Sequence, residues 1–267
     1  MLQINSKDQL SKAQIKSIAP SVFTTTYADH LSDSYTHIPT SRVIDDMAVL
    51  GWNVYSAKEV KARKQVGFQK HLLVFRNENV VINGEDGDTV YPQILVTNSH
   101  DGKNAFQFQS GIFRMICENG LVVASEKYND LRIRHINYTF EELQEKIKAM
   151  VEQLPLTVDS LNRMKQTQLN EEQAYDLAEK SILTRFPDTD IKELNINIDE
   201  LLNPTRPEDK GKDLFTVFNV LQEKILSGSF TYMTGTKIRK ARKVKNFQQD
   251  IKLNSQLYSI ANEFMEV

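Results

Sequence analysis

Hydrophobic and polar positions along the chain fall into two regimes. Between Trp52 and Ser125 the apolar residues come in short runs rich in β-branched and aromatic side chains: GFQKHLLVFR, NVVI, TVYPQILVT, NAFQFQSGIFRMIC and GLVVAS. Turn dipeptides separate them, namely Asn83-Gly84, Asp86-Gly87, Asp101-Gly102 and Asn119-Gly120. Links this short join antiparallel strands, because a parallel pair needs a long crossover. From Thr139 the spacing changes to three and four. Phe140, Leu143, Ile147, Met150 and Leu154 form a helical stripe, with Thr139 as cap and Pro155 as a kink or break. NEEQAYDLAEKSILTRF opens on Asn170 with Gln173 three residues on, the capping-box spacing. KDLFTVFNVLQEKILSG reads as a helix ending at Gly228, and a last helix spans about 247–265. Ahead of the strands lie a weak helix over 7–19 that ends at Pro20, a polar connector, and a helix over 42–50. In that last one Val43, Met47 and Leu50 share a face, Ser41 can cap the start and Gly51 can close the end.

The fold class expected is therefore α+β: an antiparallel, hairpin-linked sheet with an N-terminal helix, followed by a helical C-terminal half. Residues 1–138 form a mainly β part with short helices. Residues 139–267 form a helical region packed on it as one continuous fold.

Composition narrows the function by exclusion. A chain of 267 residues suits one large domain or two small ones. Cys117 is the single cysteine, which excludes an internal disulfide framework and a multi-cysteine zinc site. No apolar run approaches the length of about 20 residues needed to cross a bilayer, so no membrane partner is expected. MLQINSKDQLSK lacks the basic start and apolar stretch of a signal peptide, which points to the cytoplasm. Phosphate-loop, dinucleotide-binding, HExxH and GxSxG motifs are all missing from the sequence, so no cofactor and no metal are expected.

Charge changes the picture. Lys and Arg total 33 against 35 Asp and Glu, a balance of −2. That near-neutrality is an average of opposed segments. Residues 171–209 hold eleven acids and four bases, while KIRKARKVK, 237–245, holds six bases and no acid. A second basic run comprises Lys58, Lys61, Arg63, Lys64 and Lys70, opposed only by Glu59. Screening confines electrostatic attraction to about 8–10 Å at physiological salt, so a polyanion responds to the local patch and not to the total. Phe230, Tyr232 and Phe247 surround the 237–245 run, and aromatics among cations suit single strands, whose bases stack while phosphates pair. The bland alternative is a solvated surface that answers the acidic segment. Lys58, Lys61, Arg63, Lys64, Arg239, Lys240, Arg242 and Lys243 are thus candidate phosphate contacts, with Trp52 or Tyr232 as stacking platforms.

Candidate chemistry concentrates in ILVTNSHDGKNAFQFQSGIFRMICENGLV. Asn98, Ser99, His100 and Asp101 end one strand, and Arg114, Cys117 and Asn119 lie on or after a following one. His71 and His135 can approach the same region. A Cys–His pair would need Cys117 within hydrogen-bond reach of a histidine, although a lone cysteine by a glycine turn is commonly a small core residue. His100-Asp101 matches the dipeptide of metal-dependent phosphohydrolases but opens a glycine turn instead of sitting on a helix. NGEDGDTVYPQI lacks the closing Glu of a calcium loop and reads as a hairpin. In the C-terminal half, Asn219 and Gln222 form a polar strip beside Phe215 and Phe218, and Arg206, Glu208, Asp209 and Lys210 precede that helix. Structural hydrogen bonding accounts for such groups.

SRVIDDMAVLGW, KHLLVFR and ILVTNSHDGKNAFQFQSGIFRMICENGLV together resemble the phage- and plasmid-associated domain-of-unknown-function 932 family. The resemblance is carried by Gly51-Trp52 after a helix, the Asn98–Gly102 turn and the stretch Arg114–Gly120, and is looser through FNVLQEK. It implies an intracellular, mobile-element setting and no established reaction. VIDDMAVLGW followed by Lys58, Lys61, Arg63, Lys64 and Lys70 is also similar to single-strand annealing recombinases of the Rad-fifty-two type. That similarity implies a basic groove for single-stranded DNA in an oligomeric ring.

Three readings follow. The leading one is a DNA-metabolism protein of phage or plasmid type that binds nucleic acid, preferably single-stranded, without catalysis. The second is a hydrolase acting on nucleic acid or nucleotides through His100, Asp101, Arg114, Asn98 or Cys117, and it requires those side chains to converge. The third is a factor that recognises a host or phage protein, such as an inhibitor of host defence. A homo-oligomer is compatible with each.

Overall fold

The computed structural model of the chain describes residues 8–31, 37–61, 66–83, 89–104, 106–114, 119–122, 132–133 and 139–265. It has two compact units, Leu2–Leu154 and Pro155–Val267. The architecture is α+β, with an antiparallel sheet flanked in sequence by helices.

The N-terminal unit opens with helix α1, Lys12–Ile18, started by a capping box in which Ser11 and Gln14 bond reciprocally. A 3-10 turn at Pro20–Phe23 and helix α2, Thr40–Val49, follow. Helix α2 begins one residue ahead of Ser41 with Pro39 at the cap position and no side-chain cap, so Ser41 lies inside the first turn. The sheet holds seven described strands: β1 Asn53–Glu59, β2 His71–Arg76, β3 Ile82–Asn83, β4 Thr89–Asn98, β5 Phe106–Arg114, β6 Asn119–Val122 and β7 Arg132–Ile133. Their order is β1-β2-β4-β5-β6, with β3 on β4 and β7 on β5, and every pairing is antiparallel. Sequence-adjacent strands pair in β1–β2, β3–β4, β4–β5 and β5–β6, whereas β2–β4 and β5–β7 each join strands separated by another.

One expectation is corrected in this sheet. Asn119 and Gly120 pair with Arg114 and Phe113 as the first residues of β6, so they extend the ladder instead of turning it. Cross-strand hydrogen bonds to β5 outweigh the local turn preference of Asn-Gly. The dipeptides Asn83-Gly84 and Asp86-Gly87 reach into residues outside the described set.

One sheet face, with Val54, Leu73, Phe75, Ile94, Val96, Phe106 and Phe108, packs with Val43 and Met47 of α2 and with Ile15 into a single apolar core. Alternation places these residues on one side. Trp52 belongs to the same core. Gly51 is left-handed at φ +83, which turns the chain out of α2 and lets the Trp52 N–H reach the Met47 carbonyl at 2.9 Å.

Helix α3, Phe140–Gln166, continues through Pro155, and the two units divide at that residue. The C-terminal unit then comprises helices α4 Glu171–Leu183, α5 Ile191–Leu194, α6 Ile198–Leu202, α7 Leu214–Ser227 and α8 Phe247–Glu263. Asn170 and Gln173 form the expected capping box on α4, and Gly228 closes α7 in the left-handed region. Helix α7 is buried along most of its length. Its polar strip is hydrogen-bonded, Asn219 to the Phe215 carbonyl at 2.6 Å and Gln222 to Asn254 of α8 at 2.5 Å. Between α7 and α8 the chain forms a hairpin, β8 Thr231–Thr234 with β9 Lys237–Lys240, turned at Gly235. The density of Lys and Arg hides this strand pair from a hydrophobic-pattern reading.

Candidate nucleic-acid interface

Gly228 begins the construction of the cleft in the C-terminal unit. Its φ of +74 ends α7, and a Cβ there would lie 2.6 Å from the Arg242 carbonyl carbon. Absence of a side chain thus lets the 241–244 backbone pass directly over the end of the helix. The Ala241 N–H donates to the Phe230 carbonyl at 3.0 Å and the Val244 N–H to the Leu226 carbonyl at 2.9 Å. Ala241 and Val244 are buried, whereas Arg239, Lys240, Arg242 and Lys243 are exposed. The basic run is therefore pinned by its small and apolar residues and presents its cations outward.

Arg185, just past α4, completes the clamp. Its guanidinium donates to the Ile225 carbonyl at 2.6 Å and the Arg242 carbonyl at 2.9 Å, and lies 5.6 Å from the centre of the Phe230 ring. The first bond satisfies a carbonyl near the end of α7, where cations are favoured. Burial lowers the Arg185 pKa while neighbouring Tyr232 opposes the shift; the group stays cationic near neutral pH. Phe186 and Tyr232 meet with ring centres 4.9 Å apart at an interplanar angle of 50°.

These groups line a cleft of about 610 Å³ formed by Arg185, Phe186, Tyr232, Arg239, Lys240, Ala241, Arg242 and Gln249. Four cations and two aromatic rings converge there, and none of the lining residues is acidic. Of the sequence candidates, Tyr232, Arg239, Lys240 and Arg242 come together. Lys243 is exposed beside them and is not part of the lining. Arg185, Phe186 and Gln249 are additions that sequence reading missed. Arg185 and Phe186 sit in the segment dominated by acids, and only tertiary packing carries them to the hairpin.

The remaining candidates lie in the N-terminal unit. Lys58 is on β1 opposite Leu72, and exposed Lys61 follows that strand. Arg63 and Lys64 fall outside the described residues. Trp52 is only 2% exposed, so its indole contributes to the core and offers little open face to a base.

The polar residues at the end of β4 form a buried knot. Asn98, Ser99, His100 and His71 have no solvent exposure. Asn98 Nδ2 donates to Thr40 Oγ1 at 2.9 Å and its Oδ1 accepts from the Ser99 N–H at 2.8 Å. His71 Nδ1 lies 2.8 Å from Ser21 Oγ and 3.1 Å from the Gln69 carbonyl, while Nε2 lies 2.8 Å from Thr40 Oγ1. A carbonyl can only accept, so Nδ1 carries the proton and Nε2 accepts from Thr40. Burial lowers the His71 pKa to about 4, against the opposing bond to Gln69. The His100 ring lies 4.6 Å from that of His37 and 5.4 Å from that of His71. Asp101 accepts from Ser99 Oγ at 2.7 Å and from the Lys103 N–H at 3.1 Å, which closes the turn. Lys70 donates to Asn104 at 3.1 Å, and burial lowers its pKa with Asp101 acting in opposition.

Arg114 is remote from this knot. Register pairs Arg114 with Val90 and Gln107 with Thr97, so Asn98 and Arg114 occupy opposite ends of the β4–β5 ladder. At about 3.3 Å per residue their separation is roughly 20 Å or more. Cys117 and His135 lie outside the described residues. The five residues named for catalysis are not gathered into one site among those described, and no group of three or more His, Cys, Asp or Glu suited to a metal occurs among the described residues.

The family model described as Domain of unknown function (DUF932) matches residues 28–258. The chain belongs to the DUF932 family. Among curated proteins, two relatives from Escherichia coli (strain K12), the UPF0380 proteins YfjQ and YafZ, are each 25% identical over 259 residues. Each alignment covers 96% of this chain and 92% of the relative. No solved structure matches. The DUF932 match spans both the polar knot and the basic cleft. Among the described residues, no helix is long and apolar enough to cross a membrane.

Proposed function

We propose that this DUF932 protein binds nucleic acid, preferably single-stranded, through the cleft of the C-terminal unit and without catalysis. The carrying observation is the convergence of Arg185, Arg239, Lys240 and Arg242 with the Phe186–Tyr232 ring pair in a cleft with no acidic lining residue. Cations there neutralise phosphates, and a half-buried ring beside them offers a face to an unpaired base. Single strands fit this arrangement better than duplex, whose bases are stacked on one another and closed to a ring. Arg185 contributes charge, but two of its donors are engaged by the Ile225 and Arg242 carbonyls, so Arg239, Lys240 and Arg242 make the phosphate contacts.

The test is fluorescence anisotropy with labelled single- and double-stranded oligonucleotides across a salt series. Binding that weakens steeply with salt, favours the single strand and drops when Arg239, Lys240 and Arg242 become Ala supports this reading. Salt-independent binding, or no binding at low salt, overturns it.

A further inference from the structure

The N-terminal unit carries a second cleft, of about 680 Å³, built from the end of α2, the residue after Gly51, the segment following β2 and the first turns of α3. Its apolar lining is Leu50, Trp52 and Val80. Helix α3 supplies Glu141, Glu145 and Glu152, with Lys148 3.9 Å from Glu152. The apolar character extends outward: Val49 is 78% exposed and Val81 37% exposed, and they adjoin Leu50 and Val80 in sequence. An apolar floor under an acidic wall matches a segment that carries an apolar side chain between cations.

This chain contains such a segment. In the β8–β9 hairpin, Ile238 is 75% exposed between Lys237 and Arg239, and no acid occurs from Phe230 to Lys245. Strand alternation separates the hairpin's two faces. Tyr232 pairs with Arg239 on the side of the anion cleft, whereas Ile238 pairs with Met233 on the other. Ile238 is thereby displayed on the face opposite Tyr232 and Arg239, while Lys240 shares its face at the end of the strand.

We propose that the β8–β9 hairpin of one copy docks through Ile238 into the Leu50–Trp52–Val80 cleft of a second copy, with the net positive charge of the hairpin answering the α3 carboxylates. This contact is heterologous, so a pair retains an unused cleft on one copy and an unused hairpin on the other, and assembly continues to a ring or a filament. One hairpin in one cleft covers less than the roughly 1,200 Å² of a stable interface, so association is weak, concentration-dependent and reduced by salt.

Sedimentation velocity on nuclease-treated protein over a wide concentration range tests the proposal. The average mass is expected to rise with concentration. Ile238→Asp and Glu145→Lys are each expected to weaken association by about tenfold or more. Both positions are exposed, and thermal melts check that the variants fold. Ile238→Ser and Glu141→Lys serve as second variants. The decisive arm mixes the hairpin variant with the cleft variant: one intact hairpin meets one intact cleft, and assembly returns but stops at a dimer. A monomer at every concentration, self-association unchanged by either class of variant, or no dimer on mixing overturns the proposal. Each outcome is independent of oligonucleotide binding.

Discussion

The guanidinium of Arg185 donates to the backbone carbonyl of Arg242 at 2.9 Å, so one cation of the cleft fixes the backbone that carries another. A second bond to the Ile225 carbonyl ties the pair to the end of α7. The cleft is therefore preorganised. Arg239, Lys240 and Arg242 need not be drawn together against their mutual repulsion when a polyanion arrives, because packing has already done so.

Replacing Arg185 with Ala removes both bonds and leaves two carbonyls at a half-buried site. Hydrogen bonds to a charged group contribute about 1.5–3 kcal/mol. Arg185→Ala is expected to lower unfolding free energy by about 2 kcal/mol in urea titrations and to weaken oligonucleotide binding. Arg185→Lys keeps the charge but cannot span both carbonyls, so it should recover less than half of the stability that the Ala variant forfeits.

Cation and ring contributions separate in a salt series. Arg239→Ala, Lys240→Ala and Arg242→Ala each remove one cation from the phosphate path. Each should reduce the slope of log K against log salt by about 0.7 for a single strand. Tyr232→Ala should weaken binding by about 1–3 kcal/mol while leaving that slope unchanged. A Tyr232 variant that alters the slope as an arginine variant does would contradict the stacking role.

Gly228→Ala places a Cβ at φ +74 and 2.6 Å from the Arg242 carbonyl carbon. The strain is expected to cost about 1–3 kcal/mol and to displace the basic segment. Its thermal midpoint should fall, and oligonucleotide affinity should fall with it. Gly235→Ala is the comparison, since its Cβ meets nothing within 4 Å although φ is +59. It should perturb binding less.

Neutral His71 makes the fold acid-sensitive. Its pKa is about 4 in the folded chain, against an ordinary value of 6.5. Between these values the unfolded chain takes up a proton that the folded one does not. Stability contributed by His71 is therefore full above pH 6.5 and is lost as pH falls toward 4, by about 3 kcal/mol in total. Urea unfolding across that window should show the loss. His71→Gln, which cannot titrate, should be less stable at pH 7 and show a shallower slope from pH 6.5 to 4.

Secondary structure was legible where local chemistry and burial agree. Asn170 with Gln173 at α4, Gly228 at the end of α7 and the apolar strands HLLVFR and YPQILV each carry their own signal, because capping and alternation are properties of a few adjacent residues. Asn119-Gly120 misled for the complementary reason. Its local turn preference yields to ladder bonds with Arg114 and Phe113, which are made across the sheet. Hairpin β8–β9 was hidden because β9 reads Lys-Ile-Arg-Lys, with a single apolar residue, and the two short strands bury almost nothing.

Sequence alone was enough for the α+β class, for the family and for the presence of a concentrated basic run beside aromatics. These depend on short-range order and on counts within a few residues. Only the tertiary structure decided which cations and rings meet. It brought Arg185 and Phe186 from an acidic segment to the hairpin, buried Trp52, and set Asn98 and Arg114 at opposite ends of one ladder. Convergence of that kind depends on strand register and on how helices pack, which are long-range consequences of burying one core, and no local pattern encodes them.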